Sequence, residues 1–301
     1  MKTPVTNPRQ LMTRQSGHLG HLGLVLVAIC SHGLLQADEP TQSRPTTTRH
    51  GSLEVTEIVA ATSSDDARQS VVARIPLDQL QDHHRAQVED LLGGHTLFRC
   101  LPAIRIELEP ATYEYYRRNP SMAVAVWKVL GISKLQLNTT AAPELYTVKS
   151  PDGSDGTIEI LLRTDELLIV RGAGTWHSGL LPTPIRSEGL VVLRHRFEQD
   201  TEGRRYVSHQ AALFLTFPSK SVRSAARLVA PVTNMIADRN FQDISLFLRM
   251  MQVASVERPG WVEMLAGRLE GRTRAERDEF LKSAARAVVA DRRRRRSNAQ
   301  R

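Results

Sequence analysis

Two histidines in neighbouring apolar segments are the residues best suited to chemistry in this sequence. Side chains alternate between the two faces of a β-strand. Along residues 190–199 this alternation places His195 on the more apolar face, and along residues 205–217 it does the same for His209. Both imidazoles are therefore predicted to point inwards, together with the apolar side chains of Val191, Phe197 and Leu213.

The connection between these two segments predicts which residues face each other. A three-residue loop, Thr201-Glu202-Gly203, with its glycine in the left-handed region is a common hairpin turn. Such a turn pairs Asp200 with Arg204. Counting back along both strands makes His195 and His209 direct cross-strand neighbours, with side chains ~5 Å apart.

A buried pair of imidazoles allows three interpretations. The pair could orient a ligand, or act as acid and base, inside an apolar cavity. It could hold a metal if His177 supplied a third donor, although a zinc site needs three or four ligands. It could also be structural, with each ring nitrogen satisfied by a neighbouring protein group.

The connection over residues 176–185 is apolar for a loop and rich in leucine and proline. Loops of this length are uncommon unless they are functional. It could close the mouth of a cavity, touch a membrane, or pack its leucines into the core. We therefore count Trp176 among the candidate contacts of an apolar ligand.

The elements that would position these residues form an α+β pattern. Residues 97–108 predict a strand interrupted at Pro102, and two short helices follow near Pro110 and Asn119. Short strands joined by turns then predict an antiparallel meander over residues 135–217. Helical periodicity returns after Phe217, and Pro231 must kink or split that helix.

This order of elements resembles the START-like, or helix-grip (SRPBCC), superfamily. The resemblance covers about Leu97 to Val256 and includes the stretch Gly189–His195. It implies a curved antiparallel sheet packed on a C-terminal helix, with an apolar ligand cavity between them. The superfamily contains lipid-transfer domains, polyketide cyclases and aromatic-ring hydroxylase domains, so the resemblance implies no single activity.

Both ends of the chain differ from the central body. Three basic residues precede an apolar run, Leu22–Cys30, which predicts a signal peptide over residues 1–37. Residues 38–52 are polar and predict a linker, and residues 53–94 predict an N-terminal extension with one helix. Residues 95–256 then form the predicted ligand-binding domain, and residues 257–301 a separable helical tail.

Most of the excess positive charge lies in that predicted tail. The chain has 40 Lys and Arg against 32 Asp and Glu, and residues 268–301 hold 12 of the bases and five of the acids. The body is therefore almost neutral, which does not favour a nucleic-acid binder. The candidate contacts for an anionic membrane or envelope polymer are five consecutive arginines, Arg292, Arg293, Arg294, Arg295 and Arg296.

These observations predict an exported protein that binds an apolar small molecule or lipid non-covalently. Two alternatives stay open: a cyclase- or hydrolase-like enzyme that uses His195 and His209, and a cell-envelope adaptor that acts through the basic tail. The sequence has no glycine-rich phosphate loop, HExxH or CxxC pattern, so it gives no reason to expect a cofactor.

The prediction of export can be checked on the purified protein. If Ala37 is the last residue removed, N-terminal sequencing of the mature protein should begin at Asp38. Recovery of Met1 intact in a soluble cytoplasmic fraction would contradict it.

Overall fold

A computed structural model describes residues 47–50, 53–177 and 184–300, without the side chains of residues 47–50 and 298. The predicted signal peptide and the tip of the 176–185 connection lie outside these residues. The described chain is α+β, as predicted, and its strands form one antiparallel sheet of ten strands. These are β1 (Thr47–His50), β2 (Leu53–Val59), β3 (Leu97–Cys100), β4 (Ala103–Glu107), β5 (Gln136–Thr139), β6 (Leu145–Lys149), β7 (Asp155–Arg163), β8 (Leu167–Trp176), β9 (Ile185–Gln199) and β10 (Arg205–Thr216).

The sheet combines a meander with an early segment that returns to its last strand. The order across the sheet is β1-β2-β4-β10-β9-β8-β7-β6-β5. β3 also pairs with β10, beyond the end of β4, because Pro102 interrupts the strand as predicted. β1 lies within the predicted linker and pairs with β2, so that prediction is wrong for residues 47–50. A strand at the sheet edge is held by backbone hydrogen bonds and tolerates polar side chains.

Prolines mark the starts of several of the described helices. The helices are α1 (Asp65–Val72), α2 (Asp82–Gly94), α3 (Pro110–Arg118), α4 (Pro120–Leu130), α5 (Lys220–Leu228), α6 (Ala230–Glu257), α7 (Pro259–Gly267) and α8 (Arg274–Ala299). Pro231 lies in the first turn of α6 and separates it from α5 at Val229. The predicted split occurs there because proline lacks a donor and fits only the first helical turn. No helix within the described residues is both long and apolar enough to cross a membrane.

Helices cover both faces of the sheet. Side chains on one face of β10, including Val207, Ala211 and Leu213, pack with α3, α4, α6 and α8, and we call this the major face. Ala212 and Phe214, on the opposite face, pack with α1 and α2. The apolar residues of β10 are therefore buried on both sides, which explains the long apolar run in its sequence.

The C-terminal helix α8 packs as part of the core. Phe280 and Ala287 are buried, and Phe280 belongs to the same apolar cluster as the major face. The predicted capping box between Thr273 and Glu276 is present and begins the helix. The interpretation of α8 as separable is therefore wrong, because its narrow apolar stripe is covered by α3, α6 and α7.

Replacing Phe280 with alanine tests this packing. Phe280 is 2% exposed, so the truncation should leave a cavity and lower the free energy of unfolding by about 3–5 kcal/mol. Val289→Ala in the same helix is the matched control, since Val289 is 47% exposed and should change stability by less than ~0.5 kcal/mol. Chemical denaturation measures both variants. Equally small effects would mean that α8 does not contribute to the core.

Candidate functional site

The β9–β10 hairpin has the predicted turn and the predicted register. The Asp200 amide donates to the Arg204 carbonyl at 3.0 Å, and Gly203 has a φ of 77°. His195 pairs directly with His209, two residues further from the turn than Phe197 and Val207. Both imidazoles are buried, which confirms the predicted alternation of side chains along the two strands. The cross-strand pairing confirms the predicted turn.

The ring of Tyr113, on α3, packs against both histidines. Its centroid lies 4.8 Å from that of His195 and 5.7 Å from that of His209. The Tyr113 hydroxyl lies 3.4 Å from His209 Nδ1. The first turn of α3 therefore fills the space over the histidine pair.

His209 lies in a continuous chain of hydrogen bonds. Its Nε2 lies 2.8 Å from the Ser245 hydroxyl, and that hydroxyl donates to the Phe241 carbonyl at 2.8 Å. Ser245 must use its proton for the carbonyl, so His209 Nε2 is the donor to Ser245 and Nδ1 accepts from Tyr113. Both ring nitrogens are satisfied when the imidazole is neutral.

His195 is bound to a charged pair on α3. Its Nε2 lies 3.2 Å from Glu114 Oε1. Arg117 donates to both carboxylate oxygens of Glu114, at 2.9 and 2.6 Å. The guanidinium of Arg117 is almost fully buried and Glu114 is about one-fifth exposed, so this group connects the histidine pair to the surface.

Burial determines the protonation states in this cluster. Loss of solvation, with the proximity of His195, lowers the pKa of His209 to about 3. Loss of solvation and the charge of Arg117 also lower the pKa of His195, and Glu114 opposes them only in part. The pKa of Glu114 is lowered overall. Partial burial acts to raise it, but the hydrogen bond from Arg117 and the neighbouring positive charges have the larger effect. Near neutral pH the cluster therefore holds two neutral imidazoles and one carboxylate.

This arrangement favours the structural interpretation of the histidines. The side chain of His195 has no exposed area, and three of the four ring nitrogens lie within hydrogen-bond distance of protein groups. His195 Nδ1 has no hydrogen-bond partner among the described residues. A general base must reach the proton that it removes, and the ring of Tyr113 packs against both imidazoles.

The other predicted ligand contacts occupy different environments. Leu213 and Trp176 are buried, whereas Val191 is half-buried and packs beside the core of the major face. Phe197 is 41% exposed, next to the turn, and its ring lies 5.2 Å from that of His195. Of these residues, Val191 therefore lies on a partly accessible apolar surface away from the turn.

The three histidines considered as metal ligands do not form a site. Among the described residues no group of three His, Cys, Asp or Glu side chains could hold a metal ion. His177 is exposed near the Asp152–Gly156 turn, where its amide donates to the Ser154 hydroxyl at 3.1 Å. Pairing of β7 with β8 fixes it at that turn, separate from the β9–β10 hairpin.

The five arginines at the end of α8 differ in their surroundings. Arg294 bonds to Glu107 at 3.1 Å and to Asp291 at 2.6 Å, and Arg295 bonds to Asp291 at 2.6 Å. Arg292, Arg293 and Arg296 are exposed. Arg293 lines an open groove of about 860 Å³ between α8, the start of α3 and the β9–β10 turn, whose other cationic lining residues are Arg205, Lys282, Arg286 and Arg294.

The sequence gives no direct indication of four residues that build the histidine cluster. They are Tyr113, Glu114, Arg117 and Ser245. Glu114 and Arg117 are three residues apart, and this spacing alone predicts an ion pair on a helix. Nothing local connects them to histidines on strands far along the chain.

Comparisons with known proteins do not assign the chain to a family. No protein-family model matches it, and no curated protein matches it significantly. A solved structure of an uncharacterized protein from Rhizobium leguminosarum is 18% identical, with a TM-score of 0.29, over 51% of this chain and 95% of that chain. Overlap at this level carries no functional argument.

The low pKa of His209 predicts a pH-dependent stability. In the unfolded chain a histidine binds a proton near pH 6.5, whereas the folded protein resists protonation of His209 down to about 3. The contribution of His209 to the free energy of unfolding is therefore present above pH 6.5 and is lost as the pH falls. We expect that free energy to decrease by about 2 kcal/mol between pH 7 and pH 5. Denaturation at both pH values should show a smaller loss in His209→Phe than in the unchanged protein.

Ser245→Ala is the control for that experiment. It removes the partner of His209 Nε2 but keeps the imidazole. It should lower stability at pH 7 by about 1–3 kcal/mol and retain the pH dependence. The same pH dependence in His209→Phe as in the unchanged protein would show that His209 is not the residue responsible.

Proposed function

We propose that this protein binds an apolar small molecule or lipid non-covalently, on the major face of its sheet. The observation that carries the proposal is a set of apolar side chains in the middle of that face which remain half-buried. They are Ile158, Val170, Val191 and Leu193. Val170 and Val191 are direct cross-strand partners, so they form one continuous apolar surface. A partly accessible apolar surface inside a helix-covered face suits an apolar ligand.

Small residues beside this surface support the proposal. Gly172 pairs with Gly189, next to the Val170–Val191 pair. Adjacent strands alternate in step, so these two glycines share the face of Val170 and Val191. Neither glycine places a side chain of its own beside that apolar surface.

The strand order supports the resemblance to helix-grip proteins. The first strand of the predicted domain, represented by β3 and β4, pairs with the last strand, β10. Two helices, α3 and α4, precede the meander, and the long helix α6 follows it. A helix-grip fold predicts this order, with the ligand held between the sheet and the long helix.

Export belongs to the same proposal, and its support is the sequence of residues 1–37. An exported binder of apolar molecules could carry a lipid or small molecule within the cell envelope. The enzymatic alternative receives less support, since His195 and His209 are enclosed and bound to protein groups.

A second candidate function is an adaptor for anionic polymers. The groove beside α8 supports it, because that groove is lined by Arg205, Lys282, Arg286 and Arg293 around the exposed apolar side chain of Val289. Arg205 is paired with Glu109, and Lys282 and Arg286 with Glu279. These pairings reduce the net charge that the groove offers, so we place this function second.

Native mass spectrometry of the purified protein, with a fluorescent apolar probe, tests the first proposal. We expect a co-purifying lipid or small molecule, and probe fluorescence that rises on binding. Val191→Phe should fill the space beside the half-buried surface and weaken probe binding by roughly tenfold, since one lost apolar contact is worth about 1–3 kcal/mol.

Val289→Phe is the matched control, because it makes the same change in the groove beside α8. It should leave probe binding unchanged. Loss of binding in Val289→Phe but not in Val191→Phe would place the ligand in the groove. Absence of any bound molecule and of probe binding would contradict the proposal altogether.

A further inference from the structure

The junction between α5 and α6 exposes large apolar side chains. Leu228 is 83% exposed, Met235 55% and Val229 43%. Leu228 ends α5, Val229 joins the two helices, and Met235 lies in the second turn of α6. Large apolar side chains gain free energy when they leave water, so three exposed ones within eight residues mark a candidate interaction surface.

The same segment carries an unopposed positive charge. Lys220, Arg223 and Arg227 recur at helical spacing on α5, and none of them forms an ion pair within the described part of the chain. The sequence has no acidic residue between Glu202 and Asp238. Asp238 is itself paired with Arg99. We call Lys220, Arg223, Arg227, Leu228, Val229 and Met235 the junction surface; Arg223 is partly buried and the other five are exposed.

Helix α5 is only lightly attached to the body. Ala226 is its one buried residue, and Val222 is half-buried against the core. Val222 and Ala226 face the body, Lys220, Arg223 and Arg227 lie on the other side of the helix, and Leu228 is exposed at its end. A short helix with basic residues beside an exposed apolar edge has the composition of a helix that lies in a membrane interface.

The junction surface lies at one end of the sheet. β10 ends at Thr216, opposite the first residues of β9, and α5 follows directly. The surface therefore lies at the end of the sheet where β8 ends and β9 begins, away from the β9–β10 turn and from the arginines of α8.

We propose that the junction surface docks the protein onto a bilayer that contains anionic lipid. The exposed leucine, valine and methionine would enter the acyl boundary, and Lys220, Arg223 and Arg227 would pair with lipid phosphates. An anionic bilayer is complementary to this surface, because the surface combines three unpaired cations with apolar side chains. The segment that carries it contains no acidic residue. The proposal goes beyond the ligand site and does not require it.

Flotation of the full chain with vesicles of phosphatidylcholine and phosphatidylglycerol tests the proposal. We expect binding that requires phosphatidylglycerol and weakens at high salt. Leu228→Asp/Met235→Asp should abolish flotation through the loss of insertion. Arg223→Glu/Arg227→Glu should weaken it by at least tenfold, since each basic residue near an anionic surface contributes about 1 kcal/mol.

Arg292→Glu/Arg293→Glu is the matched control, with the same charge change in the predicted anionic contact on α8. It should keep at least half of the binding. Thermal unfolding by circular dichroism verifies that each variant is folded, and Leu228→Ser replaces the aspartate variant if that one is not. No binding by the unchanged protein, an equal loss in both charge variants, or loss only in the α8 variant would overturn the proposal.

Discussion

A chain of side-chain hydrogen bonds from Tyr113 through His209 to Ser245 joins three parts of the fold: helix α3, strand β10 and helix α6. All three residues are buried, so each bond replaces one to water that folding removes. Nδ1 accepts from Tyr113 when His209 is neutral, and its buried surroundings favour that form. These hydrogen bonds thus add directional contacts to the apolar packing of α3 and α6 on the major face.

The register of the β9–β10 hairpin is what brings His209 to that position. A shift of β10 by one residue against β9 would turn His209 to the opposite face, where Ala212 and Phe214 pack against α1 and α2. The turn at Gly203 prevents the shift, because only its left-handed conformation closes the hairpin with Asp200 opposite Arg204. A local feature of the backbone therefore determines a contact between distant elements.

This distinction explains how much of the structure the sequence could predict. The hairpin register, the interruption at Pro102 and the helix boundary at Pro231 each follow from rules that act within a few residues. Glu114 and Ser245 could not be predicted as partners of the histidines, because their contacts span 81 and 36 residues and leave no periodic signal. The sequence does not predict the packing of α8 for a related reason. Its stripe of Phe280 and alanines is as narrow as that of an independent helix, and only the presence of α3 and α6 shows that it is buried.

Ion pairing also changes which positive charges matter. Counted along the sequence, the arginines of α8 are the most conspicuous basic feature, yet Arg294 and Arg295 are bound to Glu107 and Asp291. The cations of α5 are fewer and inconspicuous, but none of them forms an ion pair with a described carboxylate. The potential felt by an approaching anion depends on the uncompensated charge near the surface, since a bound pair presents little net field. On that ground, α5 offers three cations with no acid in the same segment, whereas two of the five arginines of α8 are compensated. Leu228 and Met235 add apolar contact at the end of the sheet that carries α5.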